Sequence, residues 1–103
     1  MMESVAVELV HFKIARGVDE ETFLKASDNV QAFLNRSRGF VHRELVRTPD
    51  GLNWVDIVKW RSRADADQSA KVAAKDPNWM TFLGLIDKSS MKTHHMELTR
   101  AYH

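Results

Sequence analysis

From Ser4 to Ile14 the chain reads SVAVELVHFKI, a run rich in Val, Ile and Phe and broken too often by polar residues for a buried helix, which predicts a strand. One of its faces carries Val5, Val7, Leu9 and His11; the other carries Glu8, Val10, Phe12 and Ile14. Both faces are largely apolar, so both are expected to be covered. After Ala15-Arg16-Gly17 the period changes. Asp19 is placed as an N-cap, with Glu20 and Glu21 complementing the dipole of the first turn. Phe23, Ala26, Val30, Phe33 and Leu34 then form one stripe of a 3.6-residue repeat. Arg36 and Arg38 are expected in the last turn, and Gly39 as a left-handed stop.

Phe40–Arg47 and Leu52–Trp60 read as strands joined through Thr48-Pro49-Asp50-Gly51, whose Pro and Gly favour a tight hairpin. Ser62-Arg63-Ala64-Asp65 resembles a capping box and opens an Ala-rich helix running to about Lys75. Its narrow face of Ala66, Ala70, Ala73 and Ala74 suits close approach to a sheet. Asp76-Pro77 restarts a short helix as cap and first residue, with Trp79, Phe82, Leu83 and Ile86 on one side. Lys88-Ser89-Ser90 reads as a break before a final strand from Met91 to Tyr102. The order β-α-β-β-α-α-β predicts an α+β, ferredoxin-like domain: a four-stranded antiparallel sheet with helices on one face.

Such a monomer leaves one sheet face wet, yet this sequence is apolar on both. Along Leu52–Trp60 one side carries Leu52, Trp54, Asp56, Val58 and Trp60, and the other carries Asn53, Val55, Ile57 and Lys59. Burying a Val or Ile is worth roughly 1.5–3 kcal/mol relative to exposure. Four or five left in water would forfeit an amount comparable to a domain's whole stability of about 5–15 kcal/mol. A two-fold pairing of sheet faces, giving a homodimer, is the expected cover. Scattered surface hydrophobes are the plainer alternative.

Composition narrows the classes. A chain of 103 residues holds one domain, spanning 1–103. Its 15 Lys and Arg against 14 Asp and Glu lack the cationic excess of a nucleic-acid binder. There is no cysteine, hence no disulfide, thiolate metal site or thiol nucleophile. No apolar run is long enough for a membrane span. The start Met1-Met2-Glu3-Ser4 does not read as a secretory signal, so a cytoplasmic location is expected.

The ordered pattern resembles the antibiotic biosynthesis monooxygenase (ABM) family of dimeric α+β barrels. The resemblance rests on Val10-x-Phe12 with Gly17 after it, Phe23-Leu24, Arg38-Gly39-Phe40, Asp50-Gly51 and Val58-Lys59-Trp60-Arg61-Ser62 followed by Ala64. It implies a pocket in each subunit between sheet and helices, with the opposite sheet faces forming the shared barrel. Trp60 resembles a pocket-lining tryptophan of the family. Quinone-forming, cofactor-free members carry an Asn four residues earlier, where this chain has Asp56. Heme-degrading members use an Asn on the first strand and a His on the helix; the corresponding residues here are Val10 and Ala70, so heme cleavage is not implied. Neither a cofactor nor a metal is expected. Other owners of the topology fit less well. LNWVDIVKW lacks the aromatic pattern of an RNA-recognition module, and Ala15-Arg16-Gly17 is too short for an acylphosphatase anion loop.

Asp56 is the sharpest candidate, a carboxylate between Trp54 and Trp60 on an apolar face. Buried, it needs a partner or a task as a proton acceptor. If opposed residue numbers sum to 101 or 99, Arg43 shares its face and pairs with it; a three-residue loop puts His42 and Glu44 there instead. His94 and His95 point to opposite faces. One faces the pocket, and His95 could form a base-and-orienter pair with Asp56. His11 and His42 read as lone strand histidines, and no metal-ligand spacing occurs. Trp54, Trp60, Phe12, Val10 and Phe82 serve as core or as walls for a planar ligand, with Arg61 and Arg63 near the mouth. The function expected is cofactor-independent monooxygenation of a small aromatic or polyketide-like substrate, with Asp56 or His95 as base. The alternatives are a non-catalytic or stress-associated barrel binding a small hydrophobic molecule, and an acid–base cyclase or isomerase.

Overall fold

A computed structural model describes residues 4–103; Met1, Met2 and Glu3, which open the amino-terminal reading, lie outside the described residues. The elements follow the order read from the sequence: β1 (Ala6–Ile14), α1 (Glu20–Asn35), β2 (Phe40–Arg47), β3 (Trp54–Trp60), α2 (Arg63–Ala73), α3 (Pro77–Gly84) and β4 (Ile86–Glu97). The strands form a four-stranded sheet in the order β2-β3-β1-β4. Each of its pairings is antiparallel. This is the ferredoxin-like α+β fold.

Each helix begins where its cap predicts. The side chain of Asp19 accepts from Thr22 N at 2.7 Å, Ser62 Oγ from Asp65 N at 3.1 Å, and Asp76 from Trp79 N at 3.0 Å. Each side chain satisfies a backbone donor that the first helical turn leaves unpaired. The α1 stripe is buried as predicted, and its Phe23 joins Phe12, Trp54 and Phe82 in an aromatic block with ring centroids 5.0–6.5 Å apart. That block fills the space between α1, α3 and the far end of β1.

Four boundaries differ from the sequence reading. Helix α1 ends at Asn35 with Arg36 as its C-cap, so Arg38 lies outside it, and Gly39 is not its stop. Gly39 opens β2 instead, at φ +82, and a β-carbon there would overlap the side chain of Asp65. Strand β3 starts at Trp54 rather than Leu52, because Thr48 N donates to Asn53 O at 2.9 Å and closes a loop of which Leu52 is part. The Lys88-Ser89-Ser90 segment does not interrupt the last strand; it is a bulge within β4, where the register against β1 slips between His11 and Lys13. Ser90 Oγ takes the place of a ladder carbonyl there, accepting from Lys13 N at 2.8 Å. Beyond Glu97, Leu98 N still donates to Val5 O at 2.9 Å, but residues 98–102 are not strand.

The alternation places Ala6, Glu8, Val10 and Phe12 of β1 on the helical side with Trp54, Asp56, Val58 and Trp60 of β3. The opposite side presents Val7, Leu9, Val55 and Ile57, all part-exposed, with Val46 and Met96 at the flanks 45% and 48% exposed. In one copy of the chain this apolar back is open to solvent.

Gly39→Ala should be clearly destabilising, costing at least the ~1–2 kcal/mol of a left-handed non-glycine residue and adding the overlap with Asp65. Gly17 has φ +85, but a β-carbon there would meet nothing within 4 Å, so Gly17→Ala should show the strain alone. Urea unfolding of both variants checks the difference.

Candidate functional site

Between the helical side of the sheet and α2 and α3 lies a chamber of about 270 Å³. Its floor is Glu8, Val10 and Phe12 of β1, Asp56, Val58 and Trp60 of β3, and Ile86 and Met91 of β4. Its roof is Ala66, Ser69, Ala70 and Ala73 of α2 with Ala74; Trp79, Phe82 and Leu83 of α3; and Leu34 of α1. The alanine face was expected to bring α2 down onto the sheet. Instead Ala70 and Ala74 remain exposed while lining the chamber, and so mark its mouth. Ala66, by contrast, is buried in the core, and the larger side chains of α1 and α3 interlock over the other half of the sheet.

Asp56 sits in the floor, its side chain 5% exposed. Both of its oxygens accept from Arg43, Nε to Oδ1 at 2.9 Å and Nη2 to Oδ2 at 2.9 Å. The Arg43 side chain is 6% exposed and donates a further bond to Ser27 O at 3.1 Å. The hairpin register explains the pair: Arg43 lies opposite Val58 and Leu45 opposite Asp56, so opposed numbers sum to 101 and the Arg43 face is the Asp56 face. His42 and Glu44 point the other way. A two-pronged, charge-assisted contact of this kind fixes both side chains.

The other sequence candidates divide. Phe12, Val10, Trp60 and Phe82 line the chamber. Trp54 does not; it packs within the aromatic block, its Nε1 donating to Gly51 O at 3.0 Å, and it borders a surface cleft together with Arg43. His95 pairs with Glu8 across β1 and β4, and His94 with Leu9, so His95 is the one on the helical side. It borders an outer groove rather than the chamber, two strands away from Asp56, and the two make no hydrogen bond among the described residues. Arg63 lies in the same groove, and Arg61 is exposed. No group of three or more His, Asp or Glu residues among the described residues is arranged to hold a metal.

Glu8 was not singled out by sequence reasoning. It is part-buried and lines both the chamber and the outer groove. Burial raises its carboxyl above the ordinary 4.5; nearby His95 opposes that rise, the negative charge of Asp56 adds to it, and Arg63 opposes it. The buried Trp60 indole N–H sits beside this carboxylate, also favouring its charged form, but stops short of a formed hydrogen bond. The signal for Glu8 was the one used for Asp56: a carboxylate on an apolar strand face. Ser69 and Trp79 complete the lining, and their α2 and α3 positions could be placed only once the helices were docked.

No model of a known protein family matches the sequence, and no curated protein matches it. Solved structures share its fold. SnoaB of Streptomyces nogalater, a cofactor-independent oxygenase, is 17% identical with a TM-score of 0.68, over 97% of this chain and 96% of that one. The ActVA-Orf6 monooxygenase of Streptomyces coelicolor, solved with nanaomycin D, is 18% identical with a TM-score of 0.69, over 96% and 91%. A dimeric ferredoxin-like protein from an uncultured marine organism is 9% identical with a TM-score of 0.71, over 97% and 92%. The chain therefore shares the ferredoxin-like fold of these proteins.

Arg43→Met should lower stability by about 3–5 kcal/mol, the usual cost of stranding one member of a buried ion pair. The double variant Arg43→Met, Asp56→Leu should recover most of that loss in chemical denaturation.

Proposed function

We propose that the chain is a cofactor-independent monooxygenase whose chamber takes a small aromatic or polyketide-like substrate. The observation that carries this reading is the chamber itself: apolar and aromatic walls, an alanine-lined mouth, and carboxylates confined to one region of the floor. Its 270 Å³ falls just short of the ~300–1,000 Å³ typical of small-molecule sites, which suits a compact fused-ring molecule. The oxygenases that share the fold support the same reading.

The chemistry needs little from the protein. A phenol loses its hydroxyl proton to a carboxylate, and the ring anion, electron-rich at the para carbon, forms a C–O bond to O2. The peroxide anion is protonated, the para C–H proton is then lost, and the O–O bond breaks. One oxygen stays as a quinone carbonyl and the other leaves in water, so the substrate supplies all the electrons. Asp56, held rigid by Arg43, still has lone pairs with which to orient a substrate hydroxyl. Trp60 and Phe82 wall the ring and exclude water.

A second copy of the chain is the proposed partner, packed face to face over Val7, Leu9, Val55 and Ile57. It would remove from water the apolar back that one copy leaves open, and a dimer is the form given for one protein of this fold. The compartment proposed is the cytoplasm; among the described residues no helix is long and apolar enough to cross a membrane.

Oxygen-electrode assays with a panel of dihydroxynaphthalenes and anthrones should show uptake above buffer, and Ala70→Phe, which narrows the mouth, should raise KM at least tenfold. Binding without uptake would instead establish a non-catalytic ligand-binding barrel. Light scattering should give twice the 11.9-kDa chain mass, and Ile57→Lys should halve it.

A further inference from the structure

We propose that Glu8 is the base of the chamber, taking the proton from the phenolic hydroxyl of the bound ring, with His95, opposite it on β4, as its electrostatic partner. The proposal rests on the oxygenase reading above and adds the residue that starts the reaction.

Two carboxylates line the chamber, and they are placed differently. Both oxygens of Asp56 are committed to the Arg43 guanidinium, which makes it a fixed acceptor. The Glu8 carboxylate has no ion-pair partner within 4.0 Å among the described residues, and the donor beside it, the Trp60 indole N–H, stops short of a formed hydrogen bond. It stands where the chamber and the outer groove meet, lining both, so a proton received on the chamber side can exchange with solvent on the groove side. The charged groups facing it come from each neighbouring element: Asp56 from β3, Arg63 from α2 and His95 from β4, with Glu97 further along the groove. Burial raises Glu8 above the ordinary carboxylate value, which brings it closer to a phenol and makes it a stronger base when ionised. His95 and Arg63 both oppose that rise.

In the step assigned to Glu8, the substrate O–H bond breaks, a Glu8 O–H bond forms, and the electron pair stays on the ring. The same carboxylic acid then returns its proton to the peroxide anion, so the enzyme ends as it began. Oxygen is the oxidant and the substrate the reductant.

The experiment measures oxygen uptake with a dihydroxynaphthalene substrate found by the panel, for wild type, Glu8→Gln, Glu8→Asp and His95→Gln, alongside ligand affinity and melting temperature. Glu8→Gln should cut kcat at least a hundredfold while KM and ligand affinity stay within about threefold. Glu8→Asp should restore part of the rate. His95→Gln should keep turnover but move the acidic limb of the kcat/KM profile to higher pH, since a group that lowers the Glu8 carboxyl is gone. The fold should not suffer. A carboxyl raised by folding contributes most below its unfolded value and loses that contribution as pH rises through its folded value. Glu8→Gln should therefore melt no lower than wild type at pH 7. A wild type that consumes no oxygen with any substrate overturns the oxygenase reading. An active wild type whose Glu8→Gln variant keeps its kcat overturns the Glu8 assignment alone. A profile unmoved in His95→Gln overturns the partnership.

Discussion

The chamber exists because alanine is short. Two layers meet over the helical side of the sheet, and the side chains that fill the gap are unevenly shared. Over one half, Phe23 of α1 and Phe82 of α3 interlock with Phe12 and Trp54. Over the other, α2 offers Ala66, Ser69, Ala70 and Ala73, and the interlayer space remains. Close packing elsewhere holds that space open, because collapse of α2 onto the floor would mean repacking the aromatic block. The function proposed for the protein depends on this asymmetry.

Charge is handled with the same economy. A carboxylate on an apolar floor is costly unless it is partnered or used. Asp56 is partnered, by a guanidinium that also reaches the backbone of α1 and so ties β2, β3 and α1 together at one point. Glu8 is left between opposing influences, with burial and Asp56 against its charge and His95 and Arg63 for it. One carboxylate is thus fixed in place and the other kept available. That division could not arise if both had arginine partners.

Much of the architecture was legible because its signals are local. Asp19, Ser62 and Asp76 each cap the helix they precede, and the two-residue alternation in β1 and β3 assigns their faces correctly. The errors lie where a local signal served a distant contact. Gly39 reads as a helix stop, but its positive φ serves the approach of α2 through Asp65. Ser89 and Ser90 read as a break, but their hydroxyls let the strand bulge and continue. For the site, the choice between Arg43 and His42 hung on a loop length that the sequence leaves open, and the register decides it for Arg43. Trp54 and Trp60 share a face, yet α1 packs against one and α2 borders the chamber beside the other. Glu8 carries the same signal as Asp56, since the alternation sets it beside Val10 and Phe12.

The most direct test of the account is a crystal structure of the protein grown with a small dihydroxynaphthalene. The account predicts the ring lying in the chamber against Trp60 and Phe82, beneath the alanines of α2, with the Arg43–Asp56 contact intact. A structure in which α2 rests on Val10 and Val58, leaving no room for a ring, would contradict it.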